Sequence, residues 1–302
     1  MKNQKNTDFL VRSASIASLL VASTLIVLKS YGWVTTASVS LLGSLADSLI
    51  DFLASVFVFV AISYSMLPAD AKHRFGYDKS EGLAAFVQSL FIGMSGIYVC
   101  FEATKRLLNP SDQQISQPSI AIWIILVSIV LTLALVMYQK YVVKKTKSIA
   151  IESDQYHYLT DTYINLSVLF SIAITGWTRF VFIDALVGLL ISGVVLYTSV
   201  TLLKKSFKIL LDQEIQSDDR DRIREIALDH PKVLGFHDLR TRDTGREYII
   251  QFHLELDPNM SLLESHEITD EVTDNVLKLY PDSELIIHTD PLGIDEERDP
   301  FE

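Results

Sequence analysis

The chain has 302 residues, of which 49% are hydrophobic and 21% are charged, and its mean hydropathy is +0.28. This composition argues against a disordered chain and against an ordinary water-soluble protein. The net charge of −11 is unevenly placed, because residues 1–212 carry 17 basic and 13 acidic side chains whereas residues 213–302 carry 9 and 24. The acidic tail argues against nucleic-acid binding, and the single cysteine, Cys100, excludes a disulfide framework and a cysteine-cluster metal site. We therefore expect a membrane domain followed by a soluble acidic domain.

Long, mostly uncharged runs predict six membrane-spanning helices. They cover approximately residues 9–29, 37–64, 82–107, 118–141, 148–176 and 183–203. Each is close to or above the ~20 residues that a helix needs to cross a hydrocarbon core of ~30 Å. The first run is not expected to be a cleaved signal peptide, because it lacks a small-residue cleavage site and further spans follow it directly.

Basic side chains are concentrated on one side of these predicted spans. They precede the first span and lie in the second-to-third and fourth-to-fifth connections and after the sixth: Lys2, Lys5, Arg12, Lys72, Arg74, Lys79, Lys140, Lys144, Lys145, Lys147, Lys204, Lys205 and Lys208. The opposite connections, 30–36, 109–117 and 177–182, carry only Asp112 and Arg179. The positive-inside rule therefore predicts that both termini are cytoplasmic.

The second and fifth predicted spans each carry two metal-ligating side chains four residues apart. These are Asp47 and Asp51 in one span and His157 and Asp161 in the other. A spacing of four places both members of a pair on one helical face. Three oxygens and one nitrogen form a four-coordinate shell that zinc accepts, although ligand chemistry alone leaves other first-row divalent ions open. The alternative interpretation is that these are buried polar groups satisfied by neighbouring helices, with no functional role. The cost of at least ~2.5–3.5 kcal/mol per ionised group at membrane depth argues against that interpretation.

The last third of the chain predicts a small two-layer domain with the order α-β-β-α-β. Asp218 or Asp219 can cap a first helix running to about His230, and the motif Ser261-Leu262-Leu263-Glu264 is a capping box for a second helix to about Tyr280. The predicted strands are Val233–Thr241, Glu247–Leu256 and Glu284–His288, and Asp243-Thr244-Gly245-Arg246 joins the first two in a hairpin. The expected domains are thus 1–208 in the membrane and 209–302 in the cytoplasm.

Taken together, these motifs resemble the cation diffusion facilitators. The resemblance covers nearly the whole chain and includes four short segments: Pro68-Ala69-Asp70, Leu211-Asp212, His237-Asp238-Leu239-Arg240-Thr241-Arg242 and Ile287-His288-Thr289-Asp290-Pro291. It implies an α-helical membrane protein of six transmembrane helices with a cytoplasmic α+β domain of ferredoxin or metallochaperone type. It also implies that the protein is a homodimer in the inner membrane of a bacterium. This homodimer would export zinc, and also cadmium or ferrous iron, in exchange for protons.

The resemblance also implies three sets of metal ligands. The transport site would be Asp47, Asp51, His157 and Asp161. A loop site would use Asp70 and His73, but Tyr77 stands where relatives have a second histidine, and phenol with a pKa of ~10 is a poor zinc ligand. Asp78 could substitute, or the loop residues could simply be solvated. A binuclear cytoplasmic site would use His237, His253, His266, His288 and Asp290, whereas His230 matches no ligand position.

Further roles follow from the same resemblance. Lys79 and Asp212 would form a charge interlock where the tail joins the membrane helices. Thr289 stands where relatives often have glutamine, so an auxiliary contact of the cytoplasmic site is left open. Tyr156 stands where a small hydrophobic residue is usual near the transport histidine, so its effect on gating is also left open. Zinc in the tail would offset part of its negative charge and stabilise the dimer or sense cytoplasmic metal.

Three other classes of function compete with metal/proton antiport. A metal-gated channel is disfavoured because conduction needs weak or multiple sites. A non-transporting zinc sensor would leave the carboxylates of the second and fifth spans without a purpose. An enzyme is disfavoured because four protein ligands leave zinc no open position, and we expect no organic cofactor. Zinc is thus expected both as substrate and as a structural or regulatory ion.

Overall fold

The computed structural model describes residues 2–36, 39–108, 118–178 and 182–294. It divides into two compact units, Met1–Phe207 and Lys208–Glu302. The first unit is helical, and the second contains helices and a β-sheet. The predicted connection 109–117, with Asp112, lies outside the described residues, as do residues 179–181 of the predicted connection 177–182, with Arg179. Residues 177–178 and 182 of that connection are instead helical.

Six long helices build the first unit. They are α1 (Lys2–Thr36), α2 (Val39–Ser65), α3 (Lys79–Leu108), α4 (Pro118–Thr146), α5 (Ile149–Thr178) and α6 (Phe182–Leu210). The shortest, α2, has 27 residues and therefore spans about 40 Å, enough to cross a bilayer. The predicted connection 30–36 is wrong, because α1 continues as a helix to Thr36 and the Thr35 hydroxyl donates to the Tyr31 carbonyl oxygen at 2.9 Å.

Five of these six helices, all except α5, are apolar and long enough to span a membrane by length and composition. The exception is long enough, with 30 residues, but it carries Glu152, Asp154, His157 and Asp161. Many large apolar side chains on the other helices are exposed, including Leu190 at 72% and Trp123 at 69%. Such a surface suits hydrocarbon rather than water, and the prediction of a helical membrane domain is confirmed.

Small and β-branched residues pack the interior of this unit. Ala14, Val58, Ala84, Val142 and Ile151, from five different helices, belong to one buried cluster. The chain of α3 passes close to α6, since a Cβ added at Gly93 would lie 2.7 Å from the Ser199 hydroxyl oxygen. That hydroxyl donates to the Ser89 carbonyl oxygen at 2.8 Å. Small residues thus permit the close helix contacts that hold a membrane bundle together.

The second unit has the predicted order α-β-β-α-β. Its elements are α7 (Ser217–Leu228), β1 (Gly235–Asp243), β2 (Tyr248–Leu256), α8 (Leu262–Leu279) and β3 (Ser283–Pro291). The sheet order is β1-β2-β3, with β1 antiparallel and β3 parallel to β2. Alternate residues of β2 are buried, and Ile268, Val272 and Val276 on one face of α8 pack into the same core. This periodicity gives a two-layer α+β domain.

Local signals explain how these elements begin and end. The capping box is confirmed, since the Ser261 side chain accepts from the Glu264 amide at 3.2 Å and the Glu264 carboxylate accepts in return. The predicted cap of α7 is wrong: Gln216 is the N-cap residue and makes no side-chain cap bond, while Asp218 and Asp219 lie in the first turn. Carboxylates there still favour the helix through its dipole. Gly245, at φ +94°, turns the hairpin between β1 and β2.

Candidate metal centres

Helices α2 and α5 bring Asp51, His157 and Asp161 together in the membrane unit. One ligand atom from each lies within 4.8 Å of the others. The His157 Nε2 atom is 3.2 Å from Asp51 Oδ1 and 3.7 Å from Asp161 Oδ2. The histidine side chain is 4% exposed, whereas the two carboxylates are 19% and 23% exposed. The i,i+4 spacing in α5 and the contact between the helices thus gather two oxygens and one nitrogen around one point.

Asp47 is not part of this three-residue group. It lies one turn before Asp51 on α2, and its side chain is exposed. Among the described residues the structure therefore assembles three of the four expected transport ligands. The fourth stands on the adjacent turn of the same helix, so its role stays a prediction.

The orientation of His157 leaves a ring nitrogen aimed at the carboxylates. Its Nε2 atom is buried and has no hydrogen bond of acceptable geometry among the described residues. The neighbouring Tyr158 is fully buried; its hydroxyl shares a hydrogen bond of 2.8 Å with Ser55 on α2 and donates to the Ser18 carbonyl oxygen on α1 at 3.3 Å. Tyr158 therefore fixes the turn of α5 that presents His157. A buried nitrogen without a hydrogen bond beside two carboxylates is suited to a cation.

Two charged residues beside this group were missed in the sequence. Asp154, one turn before His157, is fully buried and accepts hydrogen bonds from Ser18 at 2.5 Å and Gln139 at 2.7 Å. Lys29 on α1 is 9% exposed and donates to Ser48 on α2. Their signal was present, because each is a charged residue inside or at the edge of an apolar run. The sequence alone did not show which neighbours would surround them.

Asp70, in the loop between α2 and α3, is hydrogen-bonded to other residues of the same loop. The Asp70 carboxylate accepts from the Tyr77 hydroxyl at 2.8 Å and from the backbone amides of His73 at 2.7 Å and Lys72 at 2.8 Å. These hydrogen bonds, the Tyr77 bond first, lower the pKa of Asp70 to about 2, and the same bond raises the pKa of Tyr77. The phenol is thereby held neutral, which makes it a still poorer ligand. Asp70 and His73 therefore lie close together in the loop, but the Asp70 carboxylate already accepts hydrogen bonds from other residues of the loop.

The second unit brings together His237, His253 and Asp290. Their ligand atoms lie within 4.8 Å of one another. The Asp290 Oδ2 atom is 2.8 Å from His253 Nδ1 and 3.5 Å from His237 Nε2. Strand register causes this arrangement, since His237 pairs with His253 across β1 and β2, and His253 pairs with His288 across β2 and β3. The three histidines therefore form a row across the sheet.

The remaining expected ligands of this unit differ in position. His288 is 65% exposed, and its Nε2 atom lies 3.1 Å from Asp290 Oδ1, so it adjoins the group. His266 is 69% exposed on α8 and contacts Asp270 at 3.6 Å; the structure does not bring it to the group. Glu255, which sequence reasoning missed, lies 3.7 Å from His237 Nε2. Its i,i+2 spacing from His253 on β2 was the available signal.

Other predicted residues lie away from these groups. His230 contacts Glu271 at 3.1 Å, consistent with its absence from the expected ligands. Lys79 is the first residue of α3, and Asp212 follows α6 with a φ of +53°. They belong to different units, so the charge interlock stays a prediction.

Both parts of the chain match known protein families. Residues 15–211 match the family model described as the cation efflux transmembrane domain, and residues 215–292 match that of the cation efflux protein cytoplasmic domain. The cation-efflux pump FieF of Shewanella oneidensis is 42% identical over 98% of this chain and 99% of its own. Protein p34 of Rickettsia prowazekii is 39% identical over 95% of this chain and 94% of its own.

Two solved structures of related transporters are each similar to about a quarter of this chain. The metal-bound C-terminal domain of the CzcD transporter from Thermotoga maritima is 32% identical over 27% of this chain and 100% of that chain, with a TM-score of 0.26. The zinc form of a putative zinc transporter, CzrB, is 26% identical over 28% of this chain and 99% of that chain, with a TM-score of 0.27. The two family models and the near full-length relatives show that the chain is a multi-pass membrane protein of the cation efflux family, the cation diffusion facilitators.

Proposed function

We propose that this protein exports a divalent transition metal, zinc foremost, from the cytoplasm in exchange for protons. Asp47, Asp51, His157 and Asp161 form the proposed transport site. The observation that carries the proposal is the convergence of Asp51, His157 and Asp161 within the helical unit, with ligand atoms within 4.8 Å of one another. A membrane exporter of metal cations is what membership of the cation efflux family implies.

Proton exchange follows from the chemistry of these ligands. Metal binds ionised carboxylates and a neutral imidazole, so binding on the cytoplasmic side displaces the protons that the empty site holds. Histidine ordinarily titrates near neutral pH. Protons returning to the ligands from the outer side would then release the metal, and the reprotonated site would return for another ion. A pH gradient can therefore drive the cycle.

The ligand set favours zinc among the available metals. Zinc accepts a tetrahedral shell of nitrogen and oxygen ligands, and His157 supplies the nitrogen that distinguishes this site from one suited to hard cations such as magnesium. The names of two similar proteins, a cation-efflux pump and a putative zinc transporter, support the same class of substrate. Cadmium and ferrous iron are proposed as further substrates.

A second, regulatory role for zinc is proposed in the tail. His237, His253, His288 and Asp290 would bind it, with His266 joining if the metal draws α8 or a second protomer closer. Residues 213–302 carry 9 basic and 24 acidic side chains, so two tails repel each other without metal. Bound zinc would reduce this repulsion and stabilise a homodimer.

The proposed arrangement in the cell follows from the charge pattern. Residues 1–208 would form the transport domain in a bacterial inner membrane, and residues 209–302 the metal-binding domain in the cytoplasm, where both termini lie. A salt bridge between Lys79 and Asp212 is proposed to join the two domains. Transport, rather than catalysis, is the proposed activity throughout.

Zinc flux into proteoliposomes, with and without an imposed pH gradient, tests the proposal. The wild-type protein should show gradient-driven flux, Asp161→Ala should abolish it, and Glu102→Ala, which removes a carboxylate of α3 outside the cluster, should retain it. Flux indifferent to the gradient would contradict antiport and favour a channel. Zinc binding to the tail without any flux would contradict transport and favour a sensor.

A further inference from the structure

A buried lysine lies beside the proposed transport site. Lys29 is 9% exposed, and its Nζ atom donates to the Ser48 hydroxyl at 2.6 Å and to the Ser44 carbonyl oxygen at 3.1 Å. Both serines are on α2, on the turns that also carry Asp47 and Asp51. The ammonium group of α1 is therefore fixed against the stretch of α2 that presents two of the expected ligands.

The two hydrogen bonds satisfy donors of the ammonium group but do not neutralise its charge. The carboxylates of Asp51, Asp161 and Asp47 all interact electrostatically with Lys29. A charged group at membrane depth is expensive and is usually retained for a task. Burial disfavours the charged form of this lysine, and the carboxylates of the transport site are the countercharge that opposes that effect.

A positive charge on Lys29 offsets one negative charge of the carboxylates around the site, which include the fully buried Asp154 as well as the expected ligands. Whether three or four of these carboxylates are ionised, the lysine makes the net charge of the metal-loaded site less negative by one. A site of lower net charge costs less to move through a low-dielectric interior.

We propose that Lys29 is a fixed countercharge of the transport site. It repels the bound cation, weakens metal binding, and lowers the net negative charge that the loaded site carries when it switches sides. Lys29 does not ligate metal. It acts through the electrostatic field that its ammonium group creates at the ligands. This inference rests on the transport role proposed for Asp47, Asp51, His157 and Asp161.

The competing explanation is a tether between α1 and α2, and substitutions separate the two. Lys29→Gln removes the charge and keeps a donor for Ser44 and Ser48, whereas Lys29→Arg keeps the charge. Ser48→Ala removes a hydrogen bond and leaves every charge in place. A tether predicts a larger effect for Ser48→Ala than for Lys29→Gln, and a countercharge predicts the reverse.

The experiment measures KM and maximal rate for zinc flux in proteoliposomes at one pH, with folding checked by size-exclusion chromatography. We expect Lys29→Gln to lower the zinc KM by about tenfold or more, because a like charge is removed near the cation, and to lower the maximal rate. Lys29→Arg, Ser48→Ala and the control Lys140→Gln, on an exposed lysine of α4, should remain within about threefold of wild type.

Several results would overturn the inference. Lys29→Gln with an unchanged or raised KM would do so, and so would a Ser48→Ala phenotype equal to that of Lys29→Gln. If Lys29→Gln does not fold, a tenfold change of KM in Lys29→Arg would contradict the countercharge. Absence of flux in the wild type would instead contradict the proposed transport function, so the two failures are distinguishable.

Discussion

Replacing Asp154 by alanine should loosen the helix that presents His157. The Asp154 carboxylate is fully buried and joins α5 to three other helices. It accepts hydrogen bonds from Ser18 on α1 at 2.5 Å, Gln139 on α4 at 2.7 Å and Gln88 on α3 at 3.5 Å. Asp154→Ala removes the shared acceptor and leaves buried donors behind.

The cost can be estimated from these contacts. A buried donor left without a partner costs about 1–3 kcal/mol. Ser18 can turn to the Ala14 carbonyl oxygen, which already lies 3.2 Å from its hydroxyl, and the bond to Gln88 is long. Gln139 therefore carries most of the loss, and we expect about 2–4 kcal/mol in total. Asp154→Asn keeps the volume and one acceptor oxygen, so it should cost less.

Thermal unfolding in detergent, followed by size-exclusion chromatography, measures this loss. At about 2–4 °C per kcal/mol for a unit of this size, Asp154→Ala should lower the midpoint by roughly 5–15 °C. Glu152→Ala is the matched control on the same helix: it breaks a pair with Lys205 of 2.6 Å at a partly exposed position, which is worth at most ~1 kcal/mol. An Asp154→Ala midpoint equal to that of the control would refute the reasoning.

Three further changes test the loop and the tail. Tyr77→His removes the hydrogen bond to Asp70 and supplies the missing histidine ligand, so it should add one bound zinc per chain in equilibrium dialysis. A second substitution, Asp70→Ala, should abolish that gain. His253→Ala should weaken zinc binding by the tail at least about tenfold, whereas equal weakening by His230→Ala would contradict the site. Burial, and after it the hydrogen bond that Tyr280 donates to a carboxylate of α7, raises the pKa of Tyr280 to about 12. The stability that Tyr280 provides is therefore complete below the unfolded pKa of ~10 and falls between pH 10 and 12. Hydrogen exchange of the full chain should show that Tyr280→Phe reduces this fall; an identical fall would count against it.

The features that were predictable from the sequence are those that a short stretch of chain specifies. Apolar length predicts the six helices, and the Ser261 capping box predicts where α8 begins. The i,i+4 spacing of His157 and Asp161 predicts that they share a face, because helical periodicity alone decides it. The strand alternation that places His253 opposite the buried side of β2 has the same origin.

The features that were not predictable depend on contacts between distant segments. The environment of Asp154 requires knowing that α1, α3 and α4 all meet α5 at one level. The proximity of Lys29 to Ser48 depends on how far α1 extends, and the predicted connection at 30–36 obscured that. The position of Glu255 beside His237 depends on strand register and on the bulge after His237.

The central claim is that zinc and protons exchange at the site formed by Asp51, His157 and Asp161. It is tested most directly by recording zinc entering vesicles and protons leaving them in the same sample, with a dye for each. We predict that the two fluxes rise together in the wild type and are lost together in Asp161→Asn. Zinc movement without proton movement, or proton-coupled transport that persists in Asp161→Asn, would contradict the claim.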